Sequence, residues 1–298
     1  MIHCRRSHPS EATLTVIDTR TRPAAERTAR TRHYLMCPPQ HFEVTYAINP
    51  WMNTQVPVDV ERAHVQWEVL RNTYLSLGHK VELIEPLAGQ PDMVFAANGG
   101  LVVGERAYGA KFRFPERAAE GVAYAEWLRE LGIDVVEPAQ VNEGEGDFLA
   151  LKKMILAGTG FRTSLEAHIE AANALDRPVV SLELVDPRFY HLDTAIAILD
   201  DGHGDAPAEI AYFPGAFSRH SQRTLRDLFP AAIICSEADA LVLGLNSVSD
   251  GHNVIVPSAA THFSSQLRER GYNPVPVDLS EFLKSGGSVK CCTMEMHR

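Results

Sequence analysis

Five stretches of the chain carry one pattern, and that repetition restricts the fold more than any other feature. In each, a segment with helical apolar spacing meets a Gly or Pro break, then a short apolar strand that stops at an acid or a proline. VERAHVQWEVLRNTYLSLGHKVELIEP is the first; Ala63, Trp67, Leu70, Tyr74 and Leu77 share a helical face that needs a sheet to cover it. ERAAEGVAYAEWLRELGIDVVEP repeats it, with Val122, Ala125, Leu128 and Leu131 as the expected stripe and residues 133–136 as the strand. SLEAHIEAANALDRPVVSLELVDP, SRHSQRTLRDLFPAAIICSEAD and THFSSQLRERGYNPVPVDLSEF complete the set. Between them DMVFAANGGLVVGERAYGAKF, DFLALKKMILAGTGF, LDTAIAILDDGHGDAPAEIAYFPGAF and ALVLGLNSVSDGHNVIVPSA each read as a hairpin, with Gly, Asp or Lys turn signals. A strand pair, a helix and a further strand, repeated about five times, predict an α/β chain closed radially around a central cavity. The competing architecture is an open α/β sheet, whose short units look alike for generic reasons.

Charge and cysteine usage narrow the function classes. Net charge is -10, from 38 acidic and 28 basic side chains, which disfavours nucleic acid and anionic membrane as partners and favours a small cation. No run of about 20 apolar residues is present to span a bilayer. No G-x-G-x-x-G or G-x-x-x-x-G-K-[ST] sits at a strand-to-helix junction, so nucleotide binding has little support. The cysteines, Cys4, Cys37, Cys235, Cys291 and Cys292, are odd in number and lack a Cys-x-x-Cys, which argues against a disulfide framework or structural zinc and for a reducing cytoplasm. Residues 1–33, rich in Arg and Thr without the apolar stretch of a signal peptide, read as a flexible extension, and residues 34–298 as one domain. Nothing in the sequence excludes an oligomer.

Several short stretches carry side chains capable of chemistry. Cys291 and Cys292 follow GGSVK; glycines allow close approach of a ligand to backbone, and a cysteine beyond them either presents a nucleophile or simply packs in a buried strand. Adjacent strand residues point to opposite faces, so at most one of the two faces a given site. His191 and Asp193 in FYHLDTAIAIL share a strand face, as acid–base and cation-binding groups or as ordinary polar residues at a strand start. Glu143, Glu145 and Asp147 in VNEGEGDFLAL repel one another, which a cation or solvent would relieve; the stretch lacks the spaced oxygen ligands of a calcium loop. Asp92 and Asn98 flank an apolar run in PDMVFAANGGLV, where Asn before a Gly pair is ordinary turn chemistry. Arg113, Arg117 and Arg162 lie near turns, to hold a carboxylate or to stay solvated.

In this order, MCPPQHFEVTYAINPWM, PDMVFAANGG, FRFPER, EGEGD, GFRTS, HLDTA and GGSVKCCT resemble the guanidino-group-modifying enzymes of the pentein, or α/β-propeller, superfamily. Its members include arginine deiminases, dimethylarginine dimethylaminohydrolases, arginine dihydrolases and amidinotransferases, and the likeness runs from about Tyr34 onward. The resemblance implies five ββαβ blades around a central active site, in agreement with the repeat. It implies that Cys291, followed by one residue and Thr293, is the nucleophile, His191 the general acid and base, and Asp193 a guanidinium carboxylate. The family's EGGD supplies another carboxylate; EGEGD is one residue longer, so Glu143 and Glu145 are both candidates, with Glu145 preferred. Asn98 stands where deiminases have Asp, and Arg117, Arg162 and Asn49 are expected to bind the rest of the substrate.

The implied reaction is attack of the Cys291 thiolate on a guanidinium carbon, loss of an amine protonated by His191, and hydrolysis of the thiouronium, with no metal or organic cofactor. An Asn among the carboxylates offers both donor and acceptor and would retain a neutral ureido group for a second attack. MCPP, INPWM and that Asn resemble the arginine dihydrolases, so the first reading is arginine to ornithine, ammonia and carbon dioxide. The alternative is dimethylarginine dimethylaminohydrolase, a group that shares the tandem cysteine; amidino transfer ranks third. A non-catalytic pentein, such as the ribosome anti-association factor, would have lost the Cys and His that are present here.

Overall fold

The structure is a computed structural model that describes residues 27–202 and 206–297. Cys4 and the first 26 residues of the expected extension lie outside the described residues. Strands β1 (His33–Met36), β2 (Lys80–Leu83), β3 (Gly100–Val103), β4 (Arg106–Gly109), β5 (Asp134–Val136), β6 (Phe148–Ala150), β7 (Ile155–Thr159) and β8 (Val179–Glu183) form the first half. Strands β9 (Ile196–Asp200), β10 (Glu209–Tyr212), β11 (Ile233–Ile234), β12 (Val248–Ser249), β13 (Asn253–Pro257), β14 (Asn273–Val277) and β15 (Met294–His297) follow.

These strands make five copies of one unit. β3, β6, β9 and β12 each pair antiparallel with the next strand, and a helix then returns the chain so that the third strand lies parallel to the second. The helices are Ala118–Glu130, Leu165–Leu175, Arg219–Leu228 and Thr261–Glu269. The fifth unit joins distant segments: β1, the helix Val60–Ser76 and β2 supply three parts, and β15 supplies the missing strand, antiparallel to β1 with Tyr34 opposite Glu295. β15 also runs parallel to β3, Met296 opposite Val102, which merges two units into one six-stranded sheet. The α/β chain of five repeated units expected from the pattern is the architecture found, in agreement with the pentein fold that the resemblance implies.

Local chemistry explains where the helices start and which faces they bury. The side chains of Asp59, Ser164 and Ser218 cap helix N-termini by accepting backbone N–H groups that have no intrahelical partner. On the helix Val60–Ser76, Ala63, Trp67, Leu70 and Tyr74 are buried as the spacing predicts. On Ala118–Glu130 the expected stripe is rotated: Val122 is 60% exposed, while Gly121, Tyr124, Ala125 and Leu128 face the sheet. A Cβ at Gly121 would meet the Ala110 carbonyl oxygen at 2.6 Å, so this helix lies too close to the sheet for a valine on that face. Each helix covers apolar side chains of its sheets, and the core divides into five clusters rather than one.

Residues 27–32 run across neighbouring units and are held by ion pairs. Arg27 contacts Glu209 at 2.9 Å and lies over the Tyr272 ring; Arg30 meets Asp200 and Asp201, and Arg32 meets Asp201 and Glu295. Among the described residues no helix is long and apolar enough to cross a membrane.

Candidate active site

Each unit places one polar residue in a turn just ahead of its first strand: Asn98 before β3, Glu145 before β6, Asp193 before β9, Asn246 before β12 and Cys291 before β15. Short 3₁₀ turns, Ala96–Gly99, Gly144–Gly146 and Leu192–Thr194, carry the first three. Asn98, Asp193, Asn246 and Cys291 gather through direct contacts of their turns, while Glu145 turns to Lys290 and His297. Asn246 touches Cys291 and the Asp193 carbonyl, the Cys291 carbonyl accepts from Ala97 N–H, and Asn98 donates to the Glu143 carbonyl.

Cys291 is buried, and its Sγ–H donates to Asp193 Oδ2 at 3.3 Å. Burial and the adjacent Asp193 carboxylate push the thiol well above its ordinary range, so the resting group is a thiol. Asp193 itself is pushed up to about 7 by burial, and its Oδ1 is buried with no partner in the protein. An unpartnered buried carboxylate oxygen beside a thiol is a place for a cationic donor. Cys292 is buried in the apolar cluster with Tyr34 and Tyr74, which Cys291 also borders, and it does not line the pocket. Both cysteines lie in a turn ahead of β15 rather than in the strand itself.

His191 and Glu143 form the second cluster. Glu143 Oε2 is 2.7 Å from His191 Nε2 and 2.8 Å from Arg162 Nη1, and all three side chains are buried. Burial opposes ionisation of Glu143, but the Arg162 guanidinium and then His191 outweigh it and hold the carboxyl well below the usual range. Arg162 also donates to the Ile48 carbonyl at 2.9 Å and lies between the Phe114 and Tyr190 rings. Two glycines make this approach possible. Gly144 has φ +51°, and a Cβ on Gly146 would collide with the Asn98 amide and stand 3.2 Å from His191 Nδ1.

Glu145 lies in a separate network. Its carboxylate accepts from Lys290 Nζ at 2.5 Å and from the Glu295 N–H at 2.8 Å, and contacts His297 Nε2 at 3.1 Å. Burial works against its charge, yet Lys290 and His297 together hold it low. Of the two glutamates, Glu143 is thus the one against His191.

A pocket opens onto Cys291, lined among others by Asn49, Asp92, Asn98, Arg162, Tyr190 and Ser285. Arg117 borders it, but the guanidinium is engaged: Nε and Nη2 grip Glu120 at 3.0 and 2.7 Å, Nη2 also reaches the Asp92 carbonyl, and Nη1 donates to Asn98 Oδ1 at 2.9 Å. Asn98 is in turn used on both ends of its amide, by Arg117 and by the Glu143 carbonyl. Asn49 ties two loops together, accepting from Trp51 N–H and donating to the Ser285 carbonyl. Asp92 accepts from Tyr46 and Ser285 hydroxyls at 2.8 and 3.0 Å. Arg113 is exposed and offers Glu143 only its backbone N–H. Among the described residues no group of three or more His, Cys, Asp or Glu is arranged to hold a metal ion.

Two participants escaped the reading of the sequence. Asn246 touches the nucleophile candidate, and Lys290 neutralises Glu145 directly beside it. The signal for Asn246 lay in the repeat: GLNSV stands ahead of its strand as AANGG and HLDTA stand ahead of theirs.

No family model matches the chain. The chain is 58% identical over 273 residues to an N(G),N(G)-dimethylarginine dimethylaminohydrolase of Mycobacterium tuberculosis, covering 92% of this chain and 88% of that one. It is 39% identical over 269 residues to the bifunctional arginine dihydrolase/ornithine cyclodeaminase ArgZ of Synechocystis, covering 88% of this chain but 37% of that longer protein. Crystal structures of the ArgZ N-terminal domain, one covalently bound to a reaction intermediate and one a cysteine-to-serine variant bound to substrate, each superpose with a TM-score of 0.83. Their identities are 37% and 36%, over 89% of this chain and 97% and 98% of theirs.

Proposed function

The chain belongs to the guanidino-modifying hydrolases that include dimethylarginine dimethylaminohydrolase and arginine dihydrolase, and on that premise we propose that it hydrolyses asymmetric dimethylarginine to citrulline and dimethylamine. The observation that carries the chemistry is the Cys291 thiol sharing its proton with an Asp193 carboxylate whose other oxygen is free for a guanidinium. The choice of substrate rests on the relative at 58% identity, and it reverses the order in which the sequence ranked the two reactions.

A guanidinium that settles on Asp193 brings positive charge beside Sγ, favours the thiolate and sets its central carbon for attack. The S–C bond forms and a tetrahedral adduct results; His191, oriented by Glu143, protonates the departing dimethylamine. Water deprotonated by His191 then adds to the thiouronium carbon, and collapse of the second adduct expels the Cys291 thiolate and leaves citrulline. Arg162, at the pocket, positions the amino-acid end of the substrate; Arg117, saturated by Glu120, Asp92 and Asn98, and Asn49, whose amide is spent on Trp51 and Ser285, shape the wall instead. The unlinked cysteines Cys37, Cys235, Cys291 and Cys292 suit a cytoplasmic setting.

Hydrolysis of arginine through retained citrulline to ornithine is the second reading, favoured by Asn98 in place of an aspartate at the centre of the ring. Mass-spectrometric product analysis with asymmetric dimethylarginine, arginine and citrulline in separate reactions decides between them. Citrulline and dimethylamine are expected from the first substrate. Ornithine from arginine would transfer the assignment to the dihydrolase, and no product in any reaction would overturn both.

A further inference from the structure

We propose that Asn246 is a catalytic residue of the same reaction, its side-chain N–H holding the Cys291 sulfur as a thiolate while its side-chain carbonyl fixes the nucleophile's backbone. The inference rests on the reading of Cys291 as the nucleophile. Asn246 is buried in the turn before β12, the fourth of the five equivalent turns. Its Oδ1 accepts the Cys291 backbone N–H at 3.0 Å. A backbone N–H can only donate, so this bond fixes which end of the amide faces which way. Nδ2 is thereby committed to the other side, where it lies 3.1 Å from Cys291 Sγ and 3.2 Å from the Asp193 carbonyl oxygen.

The chemistry asks for such a group. Burial and the Asp193 carboxylate disfavour negative charge on the sulfur, and a backbone hydrogen bond at Ser288 only partly opposes them. Thiolate must nonetheless exist twice in each turnover, at attack and again when sulfur is expelled. A lysine or protonated histidine would stabilise it but would also repel the incoming guanidinium and compete for Asp193. A neutral amide donor does neither, and it transfers no atom of its own. With Asn246 in this role, the units begun by β9, β12 and β15 contribute carboxylate, donor and nucleophile from equivalent turns.

The test reads the sulfur directly. The purified protein, its Asn246→Asp variant and its Asn246→Ala variant are alkylated with iodoacetamide across pH 6–10, and labelling of Cys291 is followed by peptide mass spectrometry. Asn246→Asp keeps an oxygen for the Cys291 N–H and removes the donor to sulfur, but its carboxylate would itself raise the thiol; Asn246→Ala removes both bonds without adding charge, and its profile decides. Below the midpoint the thiolate fraction falls tenfold for each unit the thiol is raised, so the rate of Cys291 labelling at a given pH is expected to fall about tenfold in each variant, with kcat reduced about 10–100-fold and KM little changed. Profiles that coincide with the parent's in a variant shown folded by circular dichroism overturn the proposal, even if kcat falls, because a merely structural role would leave the thiol unshifted. Should the added charge of Asn246→Asp prevent folding, Asn246→Ala carries the same reading. Alkylation needs no substrate, so a wrong substrate class leaves this result standing, whereas activity that survives Cys291→Ser defeats the functional reading on its own.

Discussion

Cys291 Sγ and Asp193 Oδ2 are 3.3 Å apart and share a proton, while the second oxygen of that carboxylate is buried and unpartnered. The resting site therefore holds a carboxyl group at about 7, poised to ionise as a cation arrives, next to a thiol that needs the same cation to ionise at all. On the proposed function, binding of the guanidinium and activation of the thiol would be one electrostatic event.

That arrangement costs stability with a definite sign. In the unfolded chain Asp193 loses its proton near pH 4, whereas in the folded protein it keeps it to about 7, so stability declines across that window as pH rises. Asp193→Asn removes the dependence. Its gain in unfolding free energy over the parent should be small at pH 4, grow to a few kcal/mol by pH 8, and hold there. Urea denaturation at both values checks this, and a gain of equal size at pH 4 and pH 8 would contradict it.

The tandem cysteines separate cleanly. Cys291→Ser is expected to lower kcat by at least about 10⁴-fold, because among the described residues Cys291 is the one thiol that lines the pocket. Cys292→Ser places a hydroxyl in the Tyr34–Tyr74 cluster and should cost about 1–3 kcal/mol of stability with kcat largely retained. Single-turnover kinetics and thermal melts on the two variants distinguish these outcomes.

Glu143 and Glu145 should also differ in kind. Glu143→Gln keeps the shape but leaves His191 without an anionic partner and Arg162 uncompensated; kcat is expected to fall about 10²–10³-fold. Glu145→Gln strips Lys290 and His297 of their counter-charge and should show mainly as a stability loss of about 3–5 kcal/mol. Equal mild losses of kcat in both variants would sink the assignment of a single carboxylate to the histidine.

Gly146→Ala tests how tightly the ring is built. The added methyl would run into the Asn98 amide and crowd His191, so kcat should drop by about 10²-fold with the melting temperature changed far less. A fully active variant would mean that His191 tolerates displacement.

The repeat was legible because helical spacing, turn signals and short apolar runs recur within each unit, and each such signal is local. The candidates Cys291, His191, Asp193 and Asn98 were legible because each sits in a short motif beside its strand. Glu143 and Glu145 could not be separated, since glycine on either side leaves direction undetermined until Gly144 takes a positive φ. Arg117 looked like a free cation near a turn; its buried pairing with Glu120, three residues on, reads in sequence like a solvated surface pair. Val122 was assigned to the buried stripe because spacing alone carries no information about how near the helix lies to the sheet. Asn246 went unnoticed because an asparagine in a turn is unremarkable until its partner across the ring is known.

β15 completes the unit begun by β1, and Cys291 stands just ahead of it. Docking that strand is thus the same act that delivers the thiol to Asp193. On the proposal that Cys291 is the nucleophile, a chain with that strand undocked has no sulfur beside the carboxylate, so activity would report that Tyr34 and Glu295, distant in sequence, have paired.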